Sequence, residues 1–177
     1  MFRKLQRAID IYVSKKKILK KAKKLGDNII INDRVKISLN TEIGSNVLIN
    51  GLIIRDNGYV KIGSNVSIAK GALILTGSHN YKNGLPYGKD DVLKEVIIED
   101  NVWIGQNVTI LGGVIIGEGS IIQAGSIVVK NIPPLALAGG NPCIPFKFRE
   151  KEAYEILKNN KSIYKFEHKR KYIINKK

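Results

Sequence analysis

Histidine is the side chain best suited to take and return a proton near neutrality, and this chain has two of them, His79 and His168. His79 stands in LILTGSHNYKNGLPYGKDDVLKEVIIED (residues 73–100), which is apolar and β-like at both ends and polar and glycine-bearing in the middle. An imidazole there can act as a general base toward a hydroxyl, or it can be a solvated loop histidine with no task. Tyr81, Tyr87 and Asp90 of the same loop can touch a polar acceptor or a neighbouring subunit. Two histidines cannot supply a three-imidazole zinc site, and His168 belongs to a basic tail outside the repeat described below, so no metal is expected. Cys143 is the only cysteine, which excludes an internal disulfide and cysteine-rich zinc sites. It sits in NPC, a chain-reversal segment with no histidine beside it, so it is not expected to be a nucleophile.

The elements that must carry these groups show in a six-residue grid. Ile31, Ile37, Ile43 and Ile49 lie on it, then Ile62, Ile68 and Ile74, then Ile98, Ile104, Ile110, Ile116, Ile122 and Val128. Four residues after most of these comes a small or β-branched side chain, as at Val35, Thr41, Val47, Val66, Val102 and Ser120, and glycine often follows the isoleucine directly. Each unit therefore reads as a short strand and a tight corner. Three units close one triangular coil, and coils stacked at ~4.8 Å satisfy one another's backbone groups. The expectation is an all-β parallel β-helix. A sandwich with coincidental spacing would not keep thirteen positions on one grid.

Two breaks interrupt the grid. Ile49 to Ile62 is thirteen residues rather than twelve, which predicts one extra residue bulging near Arg55–Gly58. Ile74 to Ile98 is twenty-four, four whole units, yet the repeat pattern is lost over residues 77–94. These eighteen residues read as a loop launched from one corner with the register intact beyond it.

At 177 residues and 44% hydrophobic content the chain suits one compact body. No apolar run approaches the ~18 residues of a membrane span, and no secretory signal is evident, so a cytoplasmic location is expected. The formal charge of +15 is uneven: residues 1–25 hold ten Lys/Arg and one acid, residues 147–177 eleven and four, and residues 26–146 nine and ten. Charge confined to the ends does not form the basic, aromatic-studded face of a nucleic-acid reader. The expected units are a basic amphipathic helix over 1–25, the β-helix over 26–146, and a C-terminal helix with a basic tail over 147–177. In the first helix Phe2, Leu5, Ile9, Tyr12, Leu19, Ala22 and Leu25 recur at helical spacing; that face can cap the first coil, meet an anionic membrane, or both. Tyr154, Leu157 and Ile163 are expected to pack the C-terminal helix on the coil.

IGSNVSIAKGALI, NVWIGQNVTILGGVIIGEGSIIQAGSIVVKNIPP and AGGNPC resemble the hexapeptide-repeat acyltransferases, in particular the galactoside, maltose, nodulation-factor and surface-polysaccharide O-acetyltransferases. The resemblance runs from residue 26 to about 149. It implies a left-handed coil, against the usual crossover rule, and a homotrimer with active sites between subunits. It also implies acetyl-CoA as co-substrate, with His79 of TGSHN as general base and the backbone N–H of Gln106 as oxyanion donor. Trp103, Ala124, Gly125 and Val129 would line the pantetheine path, and Lys130 and Lys147 would meet phosphates. Val129 replaces a common threonine and Lys147 a common arginine. Asn50, Asp56, Asn57 and Tyr81 are the acceptor candidates; Asn50 and Asp56 are equally well read as plain corner residues. The function so implied is O-acetylation of a saccharide of a surface polysaccharide or glycolipid precursor, near the inner membrane face. The alternatives are N-acetylation of an amino sugar and a non-catalytic, membrane-associated β-helix module.

Overall fold

The structure is a computed structural model that describes residues 2–164 and 173–174. His168 and most of the basic tail lie outside the described residues. The six-residue grid becomes a three-sided parallel solenoid. One sheet stacks Lys24–Leu25, Thr41–Ile43, Val60–Ile62, Val96–Ile98 and Ile115–Ile116. A second stacks Ile29–Ile31, Val47–Ile49, Ser67–Ile68, Trp103–Ile104, Ile121–Ile122 and Ala136–Gly139. The third stacks Val35–Lys36, Leu52–Arg55, Ala72–Leu75, Thr109–Leu111 and Ile127–Val128. Two antiparallel strands flank the second sheet: Ile144–Phe148 pairs with its last strand and Ile173–Ile174 with its first.

The grid residues face inward and stack in register. Ile43, Ile62, Ile98 and Ile116 form one column, and Ile49, Ile68, Ile104 and Ile122 another. All are at most 2% exposed and belong to one continuous core. Burial of each contributes roughly 1.5–3 kcal/mol, which explains why β-branched residues recur where the coil interior is narrow.

The break between Ile49 and Ile62 differs from expectation. Leu52 and Ile54 point inward while Ile53 faces out, so the strand slides one residue early, at Gly51 with its φ of 131°. The following corner, at Asp56–Tyr59, then carries two extra residues rather than one. A glycine is required at Gly51 because an L side chain rarely adopts that backbone conformation.

The insertion is an antiparallel hairpin at its root, Gly77–His79 against Asp91–Leu93, and the coil resumes in register because Ala72–Leu75 pairs directly with Thr109–Leu111.

Helix α1 (Phe2–Lys21) has neither glycine nor proline and ends in Lys20 and Lys21, charges that complement the helix C-terminus. It plugs the open end of the first coil, but through a face other than the expected one. Ile11 and Ile18 are buried in the common core and Ser14 lies between them, whereas Leu5, Ile9, Tyr12 and Leu19 are exposed. Ala22 and Leu25, both past the helix, do pack against the core, and the Phe2 side chain lies outside the described residues. Ser14 Oγ accepts from the Val35 N–H at 2.9 Å and donates to the Asp10 carbonyl at 2.6 Å, tying the plug to the third sheet.

Helix α2 (Lys151–Asn159) buries Tyr154, while Leu157 and Ile163 stay exposed, contrary to expectation. It docks on the edge between the first and second sheets. There Asn28, Asn46, Asn65 and Asn101 stand one above another at φ of 55–61° and pass side-chain hydrogen bonds of 2.8–3.1 Å up the stack. Asparagine suits this place because it tolerates the left-handed region and its amide both donates and accepts.

Candidate active site at the hairpin edge

The hairpin leaves the solenoid where the third sheet turns into the first. Its root is tightly built. Thr76, 1% exposed, donates through Oγ1 to the Arg55 carbonyl at 2.8 Å and accepts from the Gly58 N–H at 3.1 Å. The carboxylate of Asp56 accepts from the Gly77 N–H at 3.0 Å, and a Cβ on Gly77 would lie 2.8 Å from the Asp56 Cγ. The two extra residues of the preceding corner thus support the hairpin from below and bring Asp56 within two residues of His79.

His79 closes the first hairpin strand opposite Asp91, its register partner. Its Nδ1 lies 2.9 Å from Asp91 Oδ1, and the Tyr87 ring stacks on the imidazole at 4.0 Å between centroids and 11° between planes. An ionised carboxylate only accepts, so Nδ1 donates to it, and in the neutral ring the lone pair is then on Nε2. The ring is fixed in plane and in tautomer while remaining half exposed. A cleft of about 340 Å³ opens beside it, lined in part by Asn80, Tyr81, Lys82 and Lys94. Asp91 was missed in the sequence, where Asp90 stands next to it with no less obvious a claim; the hairpin register puts Asp91 opposite His79.

A cavity of about 450 Å³ lies elsewhere, between the asparagine edge and α2. Four of its polar groups bind one another. Glu118 Oε1 accepts from Tyr154 Oη at 2.9 Å and Asn101 Nδ2 at 3.1 Å and pairs with Lys158 Nζ at 2.7 Å. Burial pushes the Glu118 carboxyl up, but Lys158, Tyr154 and Asn101 together bring it below its ordinary range. Burial, then the bond to Glu118, pushes Tyr154 up to about 12. This arrangement holds α2 in place.

The remaining expected residues divide between two edges. Val129 and Lys130 follow the last strand of the third sheet, two coils beyond the hairpin on the same edge as His79, Asp56 and Asn57. Asn50, Gln106, Ala124 and Gly125 lie on the edge between the second and third sheets, and Asn50 and Gln106 share a shallow cleft with Lys70. Asn50 therefore parts company with Asp56, and its Oδ1 accepts from Asn32 Nδ2 at 2.9 Å, a corner bond. The Asn57 carbonyl accepts from Asn40 Nδ2 at 2.8 Å.

Trp103 is 52% exposed on the second sheet, as its outward position requires, and Lys147 pairs beside the last strand of that sheet. Gln106 accepts at its carbonyl from the Gly125 N–H at 2.7 Å and, among the described residues, donates no backbone bond, so its N–H is available. A Cβ on Gly125 would meet nothing within 4 Å; its φ of 74° calls for glycine, and the space above the corner is open. Cys143 is buried among the core residues, and burial pushes its thiol up, which suits a packing residue rather than a nucleophile. Among the described residues no His, Cys, Asp and Glu cluster could hold a metal ion.

The fold is a three-sided parallel solenoid, and similarity to known proteins gives its class. Residues 95–130 match the bacterial transferase hexapeptide (six repeats) model. The galactoside O-acetyltransferase of Escherichia coli K12 is 39% identical over 122 residues, which cover 67% of this chain and 60% of that protein. The Lactococcus lactis galactoside O-acetyltransferase is 36% identical over 106 residues, 59% of this chain and 51% of the relative. The chain thus spans somewhat over half the length of these relatives. Among solved structures, a maltose O-acetyltransferase from Clostridium difficile 630 superposes with a TM-score of 0.59 at 33% identity, covering 72% of this chain and 67% of that one. A galactoside acetyltransferase in complex with coenzyme A gives a TM-score of 0.60 at 30% identity, covering 86% and 72%. The chain belongs to the hexapeptide-repeat transferase family.

Proposed function

We propose that this protein transfers an acetyl group from acetyl-CoA to a hydroxyl of a saccharide, with His79 as general base. The observation that carries the reading is the His79 ring held between Asp91 and Tyr87 beside an open cleft. Asp91 accepts the Nδ1 proton and so presents the Nε2 lone pair. An acceptor hydroxyl placed at Nε2 gives up its proton as its oxygen attacks the thioester carbonyl. The oxyanion is met by the Gln106 N–H, and collapse expels the coenzyme A sulfur, which takes the proton back from the imidazolium. No acyl-enzyme forms. The kinship with galactoside and maltose O-acetyltransferases supports acetyl-CoA and a sugar hydroxyl as the two substrates.

The two-edge distribution bears on assembly. His79 and Gln106 are separated by one face of the prism, five or six extended residues or roughly 17–20 Å. One chain cannot bring both to a single carbonyl. A homotrimer in which the hairpin edge of one copy meets the Gln106 edge of the next would complete the site, with Trp103, Ala124, Gly125, Val129, Lys130 and Lys147 along the coenzyme path and Asp56, Asn57 and Tyr81 near the acceptor.

The test is coenzyme A release with a panel of sugars. Turnover with a hydroxyl sugar that disappears in His79→Ala, with the melting temperature and acetyl-CoA binding retained, is the expected result. Equal turnover by the alanine variant, or turnover with amino sugars alone, overturns the reading.

A further inference from the structure

Helix α1 has two faces, and the solenoid uses one. Ile11, Ser14 and Ile18 enter the open end of the coil. On the other side Leu5 is 61% exposed, Ile9 47%, Tyr12 58% and Leu19 57%, with Val13 beside them at 40%. At 3.6 residues per turn Leu5, Ile9, Tyr12 and Leu19 fall within an arc of about 80°, roughly opposite the buried stripe. Four large apolar side chains in one exposed row are more than scattered surface residues, and nothing in the described fold covers them.

The setting of the row is cationic. Residues 1–25 hold ten Lys/Arg against a single acid, Asp10. Lys16, Lys17, Lys20 and Lys21 are exposed on α1, and among the described residues no lysine of α1 forms a salt bridge. Lys16 Nζ lies 4.8 Å above the Tyr12 ring, its stem along the apolar row and its charge at the rim.

We propose that the outer face of α1 docks on an anionic phospholipid surface. The apolar row would enter the boundary between headgroups and acyl chains while the lysines snorkel to the phosphates. A second copy is a poor occupant, because pairing two such faces would bring like charges together in contact. Because α1 plugs the end of the coil, its outer face points away from the sheets and from both edges of the candidate site. Docking therefore leaves the hairpin cleft open, and the inference stands whether or not His79 is a catalytic base.

The test is co-sedimentation of the full chain with phosphatidylcholine vesicles made with and without phosphatidylglycerol. Binding is expected only with phosphatidylglycerol and weakens as salt is raised. Leu5→Ser combined with Ile9→Ser should lower it about tenfold or more, from two lost apolar insertions, with the circular dichroism unchanged because both side chains are exposed in the fold. Absence of binding to phosphatidylglycerol vesicles, or equal binding by the double variant, overturns the proposal. So does a fall in oligomeric mass of the double variant by light scattering, since a second copy would then be what covers the row.

Discussion

Two edges of the same prism answer the same geometric problem in opposite ways. Where the first sheet turns into the second, asparagines stack over four coils, each amide bonded to the next, and the column ends on Glu118 and Tyr154 of the α2 clamp. Where the third sheet turns into the first, the hairpin interrupts the edge, and His79, held by Asp91, lines a cleft with Lys82. The asparagine edge spends its polar groups on one another and gains stability. The hairpin edge keeps the Nε2 of His79 without a partner among the described residues at the mouth of a cavity, which is what a proton transfer requires.

The contrast can be broken most sharply at His79. His79→Ala should cut kcat by roughly 10²- to 10⁴-fold, the usual share of a general base, with the melting temperature unchanged. A coenzyme A release assay beside thermal unfolding checks it. Asp91→Asn comes next. An amide at Asp91 can donate to Nδ1 and favour the wrong tautomer, so kcat should fall on the order of tenfold to a hundredfold, within the range for acid–base assistance, with KM for acetyl-CoA unmoved. Equal losses in kcat and acetyl-CoA affinity would mean that Asp91 serves the hairpin fold rather than the ring.

The asparagine edge should respond the other way. Asn65→Ala removes two ladder bonds and places a methyl-bearing residue at φ 58°, so stability should drop by about 1–3 kcal/mol in denaturant titration. Activity per folded molecule should stay the same.

The smallest effect is that of pH on the α2 clamp. Glu118 is held below its ordinary range in the fold, so its contribution is present above the unfolded carboxyl value and is lost as pH falls through the folded one. Tyr154 is raised to about 12, so its contribution is full below the ordinary tyrosine value of 10.0 and is lost as pH rises toward 12. The stability profile of the wild type should therefore decline at both ends, and Glu118→Gln should flatten the acid limb. An unchanged acid limb in that variant would place the clamp's energy in Tyr154 packing instead.

The interior of the solenoid was legible residue by residue. Ile31, Ile49, Ile68, Ile104 and Ile122 stack as their spacing demands, because a six-residue period is a local property that only a three-sided coil satisfies. The insertion was equally plain, since eighteen residues leave the grid and the grid returns in phase. The corner before it was not. A slip of one at Gly51 and a gain of two after Arg55 sum to the same thirteen-residue step as a single bulge, and spacing reports only the sum.

The choice between the two sides of α1 was also hidden. Leu5, Ile9, Tyr12 and Leu19 make as good a helical stripe as Ile11 and Ile18, and only the shape of the open coil end decides which side fits. The sequence alone therefore determined what depends on near neighbours: the six-residue rungs, the corners that need asparagine or glycine, and the imidazole at the mouth of an insertion. Tertiary structure decided what depends on residues meeting across distance. It set Asp91 and Tyr87 around His79 through hairpin pairing, closed Glu118 into the α2 clamp, and parted Asn50 and Gln106 from the hairpin by a full face of the prism.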